Sequence, residues 1–232
     1  MKKNILELIQ FDKNSFKDLL SVCIGKAHSN QLELAEYIGE YGRWNTDVTQ
    51  GKLILGNNKT FDVEYIATTS TSDGMWFSAE LERQIPDDYI QLAIQVKIVM
   101  QNNNIPYEAK IKLDDSVGIT GANLAYINCT LCQENVVYFN GSGNVSIFMF
   151  VKKLPDKIFE QVNANKFTTR VTELISNNDL NHKLMIESFL LNNDCKIEKE
   201  ENKLVGIFNN GSAIEFSFAG NSLENMKAKI LP

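Results

Sequence analysis

A chain of 232 residues, 44% hydrophobic and 22% charged, can bury a core without disulfide or metal staples, as one large domain or two small ones. Its 29 acidic residues exceed its 23 basic ones, and the resulting charge of −6 disfavours partners made of phosphate. Nucleic acid and anionic membrane both need clustered Lys and Arg, so neither is expected, and a basic protein surface or a small molecule fits better.

The start, M-K-K-N-I-L-E-L-I-Q-F-D-K, has the basic opening of an export signal, but Glu7 and Asp12 interrupt the apolar run. No stretch approaches the roughly 18 uncharged apolar residues of a membrane span, so a cytoplasmic protein is expected. Cys23, Cys129, Cys132 and Cys195 sit in or beside apolar surroundings, which in that compartment means reduced and buried thiols.

Apolar positions three and four apart predict two helices, Ser15–Ala27 and Gln31–Tyr41, with Phe16, Leu19, Leu20 and Cys23 on one face and Leu32, Ala35 and Ile38 on the other's. Ser29 and Asn30 suit the cap of the second helix, and Gly39 and Gly42 its end. The period then becomes two. Trp44–Val48, Lys52–Leu55, Thr60–Thr68 and Met75–Glu82 read as an antiparallel meander with turns at Gln50-Gly51 and Gly56-Asn57-Asn58.

Between the last two runs lies T-S-T-S-D-G-M-W-F, Thr69 to Phe77. Asp-Gly between strand-like runs is a hairpin signal, because both residues supply the positive φ of a tight turn. As a turn it positions Trp76 facing inward, with Phe77 as the more exposed aromatic; as a recognition patch it presents Trp76 with Ser70, Ser72 and Asp73 at the rim.

A helix is expected from Pro86-Asp87-Asp88 to Gln101, then a strand over Tyr107–Leu113, a helix within Ser116–Cys132, and a hairpin of Val136–Phe139 with Val145–Val151 around Asn140-Gly141-Ser142-Gly143. Pro155 opens a helical tail through Val171–Ile175 and Leu184–Leu191, and the last strands are Lys196–Lys199, Leu204–Phe208 and Ala213–Phe218. Helix followed by hairpin thus recurs three times, around 31–68, 117–151 and 184–218, either as a repeat or as shared turn chemistry.

The segment L-A-E-Y-I-G-E-Y-G-R-W-N-T-D-V-T-Q-G-K-L-I-L-G, followed by T-S-T-S-D-G-M-W-F, resembles an uncharacterised bacterial family of unknown-function domains. The resemblance rests on a helix, a Trp-x-x-Asp step (Trp44, Asp47), a Gly-containing hairpin (Gly51) and a Ser-rich turn (Ser70, Ser72) leading to Trp76, and it covers residues 30–150. It implies no activity.

Catalytic and metal chemistry find little support. Cys129-Thr130-Leu131-Cys132 has the C-x-x-C spacing, but zinc needs two further ligands and no second paired spacing follows. His28 and His182 both read as exposed loop residues, and no nucleophile elbow, H-E-x-x-H, P-loop or G-x-G-x-x-G pattern occurs. Asp87-Asp88 and Asp114-Asp115 read as helix starts, and Glu33, Glu36 and Glu40 as an acidic helix face, solvated or turned toward a basic partner.

The expected fold is α+β, an antiparallel curved sheet built from hairpins and covered by amphipathic helices, with a main domain at 1–153 and a helix-plus-hairpin segment at 154–232 packed on the same core. The expected function is a non-enzymatic protein-binding module, immunity-like or accessory, with no catalytic residue, no metal and no cofactor. Its candidate contact residues are Trp44, Asp47, Ser70, Ser72, Asp73 and Trp76. The alternative is an enzyme or sensor with a small-molecule pocket between helix and sheet, using Asp47 or Asp115.

Overall fold

A computed structural model describes residues 4–70, 72–143 and 145–231; the first three residues of the M-K-K start, Thr71 of the Ser-rich turn, Asn144 and Pro232 lie outside it. The chain divides into two compact units, one of residues up to Ser29 together with those from Glu160 onward, the other Asn30–Phe159. After the one-turn helix α1 (Ile5–Leu8), α2 runs unbroken over Phe16–Ile38 and gives its first half to one unit and its second half to the other.

The two expected helices are therefore one. Ala27-His28-Ser29-Asn30 holds no Gly or Pro, and once a helix is nucleated each added residue gains a hydrogen bond, so Ser29 sits in the middle, fully buried, instead of capping a second helix. Continuity also rotates the apolar stripe: Leu34 and Ile38 are buried and Ala35 is exposed. Gly39, at φ +65°, ends the helix as expected, and the Lys59 ammonium bonds the last carbonyls, Tyr37 and Ile38, at 2.5 and 3.0 Å.

The Asn30–Phe159 unit continues with β1 (Trp44–Asp47), β2 (Lys52–Leu55), β3 (Thr60–Ser70), β4 (Met75–Ser78), α3 (Gln91–Asn102), β5 (Lys110–Lys112), α4 (Gly121–Leu131), β6 (Val137–Gly141) and β7 (Val145–Lys152). All seven strands form one antiparallel, open sheet around β3. One edge of β3 takes β2 along Thr60–Asp62 and β4 along Ala67–Ser70, with β1 and β5 outside them. The other edge takes β7 along Asp62–Ser70, with β6 beyond. A β-bulge at Ile66 shifts the β3–β7 register, so that Val63 and Tyr65 share a face with Thr68 and Ser70.

Against one face pack α3 and α4. Glu64, 5% exposed, points there: one carboxylate oxygen accepts the Leu92 N–H at 2.8 Å and the other meets the Lys152 ammonium at 2.5 Å. Glu64 thus caps α3 from a distant strand, where the local N-cap residue Ile90 offers no acceptor. This is why α3 begins at Gln91 and not at Pro86; Asp87–Tyr89 forms only a 3-10 turn.

The opposite face holds the unit's main core: Leu34 and Ile38 of α2 with Leu53, Leu55, Val63, Tyr65, Val137, Phe139, Met149 and Val151. Each such aliphatic or aromatic side chain contributes about 1.5–3 kcal/mol on burial. The sheet curls until β1 folds over it, with the Thr46 hydroxyl 2.6 Å from that of Tyr65 and the Trp44 ring edge-on to Phe139 at 5.9 Å.

The other unit adds α5 (Ala164–Asn177), α6 (His182–Asn192) and a sheet of its own in the order β11-β10-β9-β8, from β8 (Lys196–Glu200), β9 (Lys203–Ile207), β10 (Ala213–Ala219) and β11 (Ser222–Lys229). Among the described residues these four strands pair with one another. Phe167 stacks on Phe189 at 4.2 Å and also meets Phe208 and Phe216. Neither histidine is a loop residue: His28 lies inside α2, 3.6 Å from Glu173, and His182 opens α6 with Nδ1 accepting the Leu223 N–H at 3.0 Å. Burial pushes both imidazoles below the usual histidine value. The architecture is α+β, as the alternation of helical and strand periods indicates.

Candidate functional site

Beyond the part of the curled sheet filled by α2 and β1, the same face continues with residues that are half-buried to exposed. The registers define it as two rows across four strands. Lys110, Phe77, Thr68 and Ile147 form one, with Gly141 following on β6; Lys112, Met75, Ser70 and Val145 form the other. Directly paired residues project to the same side, so these side chains share one surface.

The relief follows from residue size. Thr68 and Ser70 on β3 are small and make a floor, flanked by Phe77 and Met75 on β4 and by Ile147 and Val145 on β7. Val145 is 49% exposed, and Phe77, Met75 and Ile147 are half-buried. Trp44 closes the side next to Ile147: a Cβ built on Gly141 would fall within 3 Å of its indole, so only glycine lets the ring lie there. On the opposite side stand exposed Lys110, its ammonium 5.8 Å from the Phe77 ring centre, and Lys112, which donates to the Asp73 carbonyl at 2.8 Å.

The Ser-rich turn forms one end of this trough. Gly74, at φ +59°, returns its N–H to the Ser70 carbonyl at 3.0 Å, and the Asp73 carboxylate takes the hydroxyls of Ser70 and Ser72 at 3.1 and 3.0 Å. The carboxylate of Glu82 accepts the Thr68 hydroxyl at 2.7 Å. Both acids therefore spend acceptor capacity on neighbouring hydroxyls.

Of the six residues singled out in the sequence, Ser70 lies on the trough floor, Ser72 and Asp73 on its rim, and Trp44 on its wall. Trp76 faces the other way. It is 3% exposed beneath the helices, its ring 5.1 Å from that of Phe148, which abuts Gly121 at the start of α4. Asp47 belongs to the β1–β2 turn, where one oxygen accepts from the Thr49 hydroxyl and from the Thr49 and Gln50 N–H groups. The Thr49 hydroxyl is the main reason its carboxyl titrates below the usual carboxylate range. Asp115, the other acid considered for chemistry, is exposed in a 3-10 turn capped by Asp114.

Phe77, Met75, Val145, Ile147, Lys110 and Lys112 were missing from the sequence-based set. Alternation placed Phe77 opposite Trp76, but only the bulge at Ile66 determines that Phe77 shares its side with the core residue Tyr65. All four cysteines are buried. Among the described residues no helix is long and apolar enough to cross a membrane, and no group of three or more His, Cys, Asp or Glu is placed to hold a metal ion.

No curated protein and no solved structure matches the chain. A family model does match, over residues 17–154, which is more than half of the chain and takes in every strand of the sheet that carries the trough. The match covers the Trp44, Asp47, Gly51 and Trp76 positions on which the resemblance to an unknown-function family rests, and the chain belongs to that family of unknown function, DUF6882.

Proposed function

We propose that the protein is a non-enzymatic binding module, immunity-like or accessory, that seats a protein partner in the trough beside the Ser-rich turn. The supporting observation is the apolar ridge pair, Phe77 with Met75 and Val145 with Ile147, of which Val145 is exposed and the others half-buried, on a sheet face that is otherwise packed core. An exposed Val145 alone would be ordinary, but it is contiguous in register with three partly accessible apolar neighbours and rimmed by polar groups, as recognition surfaces are. Trp76 gives the hairpin a rigid base from the far side, which limits the entropy lost on docking.

The small-molecule reading needs a pocket between helix and sheet; between α2 and the seven-stranded sheet Leu34, Ile38, Leu53, Leu55 and Tyr65 pack together, which favours the protein-binding reading for this unit. Net charge and the Glu33, Glu36 and Glu40 face favour a basic partner surface; at the trough Lys110 and Lys112 stand on one side, while the Asp73 and Glu82 carboxylates bond the floor residues Ser70 and Thr68. A cytoplasmic site of action belongs to the same reading, supported by four cysteines buried in the fold.

The test is proximity labelling in cells of origin with the wild-type chain and with Phe77→Ser/Val145→Asp, both at positions that already touch water. A protein labelled by the wild type and lost with the variant, at unchanged melting temperature, supports the reading. Equal labelling by both chains overturns it.

A further inference from the structure

Asn-Gly occurs twice in the chain, at Asn140-Gly141 and Asn210-Gly211, each time followed by Ser. This pair is prone to losing the Asn side-chain amide, because glycine puts no Cβ in the way when its backbone nitrogen approaches the Asn Cγ. The two pairs share their local chemistry, so the fold decides which of them reacts.

Asn140-Gly141 ends β6, with Asn140 opposite Phe148 and Gly141 opposite Ile147. Gly141 is buried, and the Trp44 indole abuts it. Extended backbone turns the glycine nitrogen away from the side-chain carbonyl, so ring closure there would have to undo strand pairing and displace the indole. Asn210-Gly211 forms the exposed tip between β9 and β10, where Gly211 has φ +82°. The Ser212 N–H donates to Asn210 Oδ1 at 3.1 Å, which folds the side-chain carbonyl back over the turn and polarises it. One bond restrains the nucleophile: the Gly211 N–H donates to the Phe208 carbonyl at 2.8 Å, so reaction waits on a local opening of this turn.

We propose that Asn210 is a site of spontaneous deamidation and that Asn140 is protected from the same reaction by its place in the sheet. The Gly211 nitrogen attacks Asn210 Cγ, and the oxyanion develops on Oδ1, the atom that already accepts the Ser212 N–H. The bond from Cγ to the amide nitrogen breaks, the proton of the Gly211 nitrogen passes to that amide nitrogen through water, and ammonia leaves behind a cyclic succinimide. Water then opens the ring at Cγ to give aspartate, or at the main-chain carbonyl to give isoaspartate. No oxidant or reductant is consumed. Asn210 shares a hollow with Asn163, Ala164 and Asn165 at the start of α5, so either product sets a new carboxylate near the positive end of that helix.

The experiment incubates the full chain in heavy-oxygen water at mildly alkaline pH, native and in urea, and follows both Asn-Gly peptides by mass spectrometry, with isoaspartyl methyltransferase labelling as a second readout. In the native chain Asn210 is expected to convert at least about tenfold faster than Asn140, and in urea the two rates converge, since only the fold separates them. Equal native rates, or a faster Asn140, overturn the proposal. So does a native Asn210 that stays intact while the unfolded chain converts at that position. A ratio that persists in urea would put the selectivity in the flanking sequence and overturns it as well.

Discussion

Replacing Trp76 by alanine tests the packing beneath the trough. The indole is 3% exposed, tilted 46° against Phe148 at 5.1 Å, and Phe148 in turn meets Tyr138 at 6.1 Å and the backbone of Gly121. With β-sheet on one side and α4 on the other, the site cannot collapse cheaply, so the cost should be that of an aromatic-to-alanine cavity, about 3–5 kcal/mol. In a unit spanning Asn30–Phe159 this lowers the melting temperature by roughly 10–20 °C. Thermal unfolding followed by near-ultraviolet circular dichroism, with urea titration alongside, measures it. A shift below about 3 °C with the hairpin intact would show that the indole does not sit in the core, and would return Trp76 to the recognition surface.

Three further outcomes follow from the same packing. Gly141→Ala should push Trp44 off β6, costing about 1–3 kcal/mol and red-shifting indole emission; unchanged emission in a Trp76→Phe background would contradict the contact. Asp62, held at about 2 by the ammoniums of Lys153 and Lys52, has a folded value depressed below the usual value of about 3.9. Its stabilisation is complete above the unfolded value and is lost as pH falls from about 3.9 through about 2, so Asp62→Asn should flatten the urea midpoint across that window, and parallel wild-type and variant curves would refute this. Iodoacetamide should modify Cys23, Cys129, Cys132 and Cys195 only after denaturation, read by intact mass; labelling of the native Cys129–Cys132 pair would argue for a reactive site.

The hairpins and their turns were legible because turn chemistry is local: Gly74 and Gly39 adopt the positive φ that their neighbours in sequence indicate. The helix over Gly121–Leu131 falls within the expected Ser116–Cys132 segment, in which Leu124, Ile127 and Leu131 make a helical stripe. What escaped was set by distant groups. The start of α3 depends on Glu64, 28 positions before Leu92. Strand β11 carries almost no alternation, because as an edge strand it is exposed along most of its length. Two helices became one although Ser29 and Asn30 prefer caps to helix interiors, because burial of Ser29 within the continuous helix outweighed that local preference. The trough depends on a single unpaired residue in β3, which leaves no mark in the apolar pattern around it.

That residue, Ile66, makes the chain unequally tolerant of length changes. Deleting it would turn the downstream half of β3 over, bringing Ala67 and Thr69 to the open surface and carrying the paired β4 with them, so that Trp76 would emerge and Phe77 would be driven under the helices. Lengthening the exposed turn at Ser72-Asp73 disturbs neither face. Diversification of the binding surface by insertion is therefore open at the turn and closed six residues upstream of it, where one lost residue exchanges the inside of the protein for its outside.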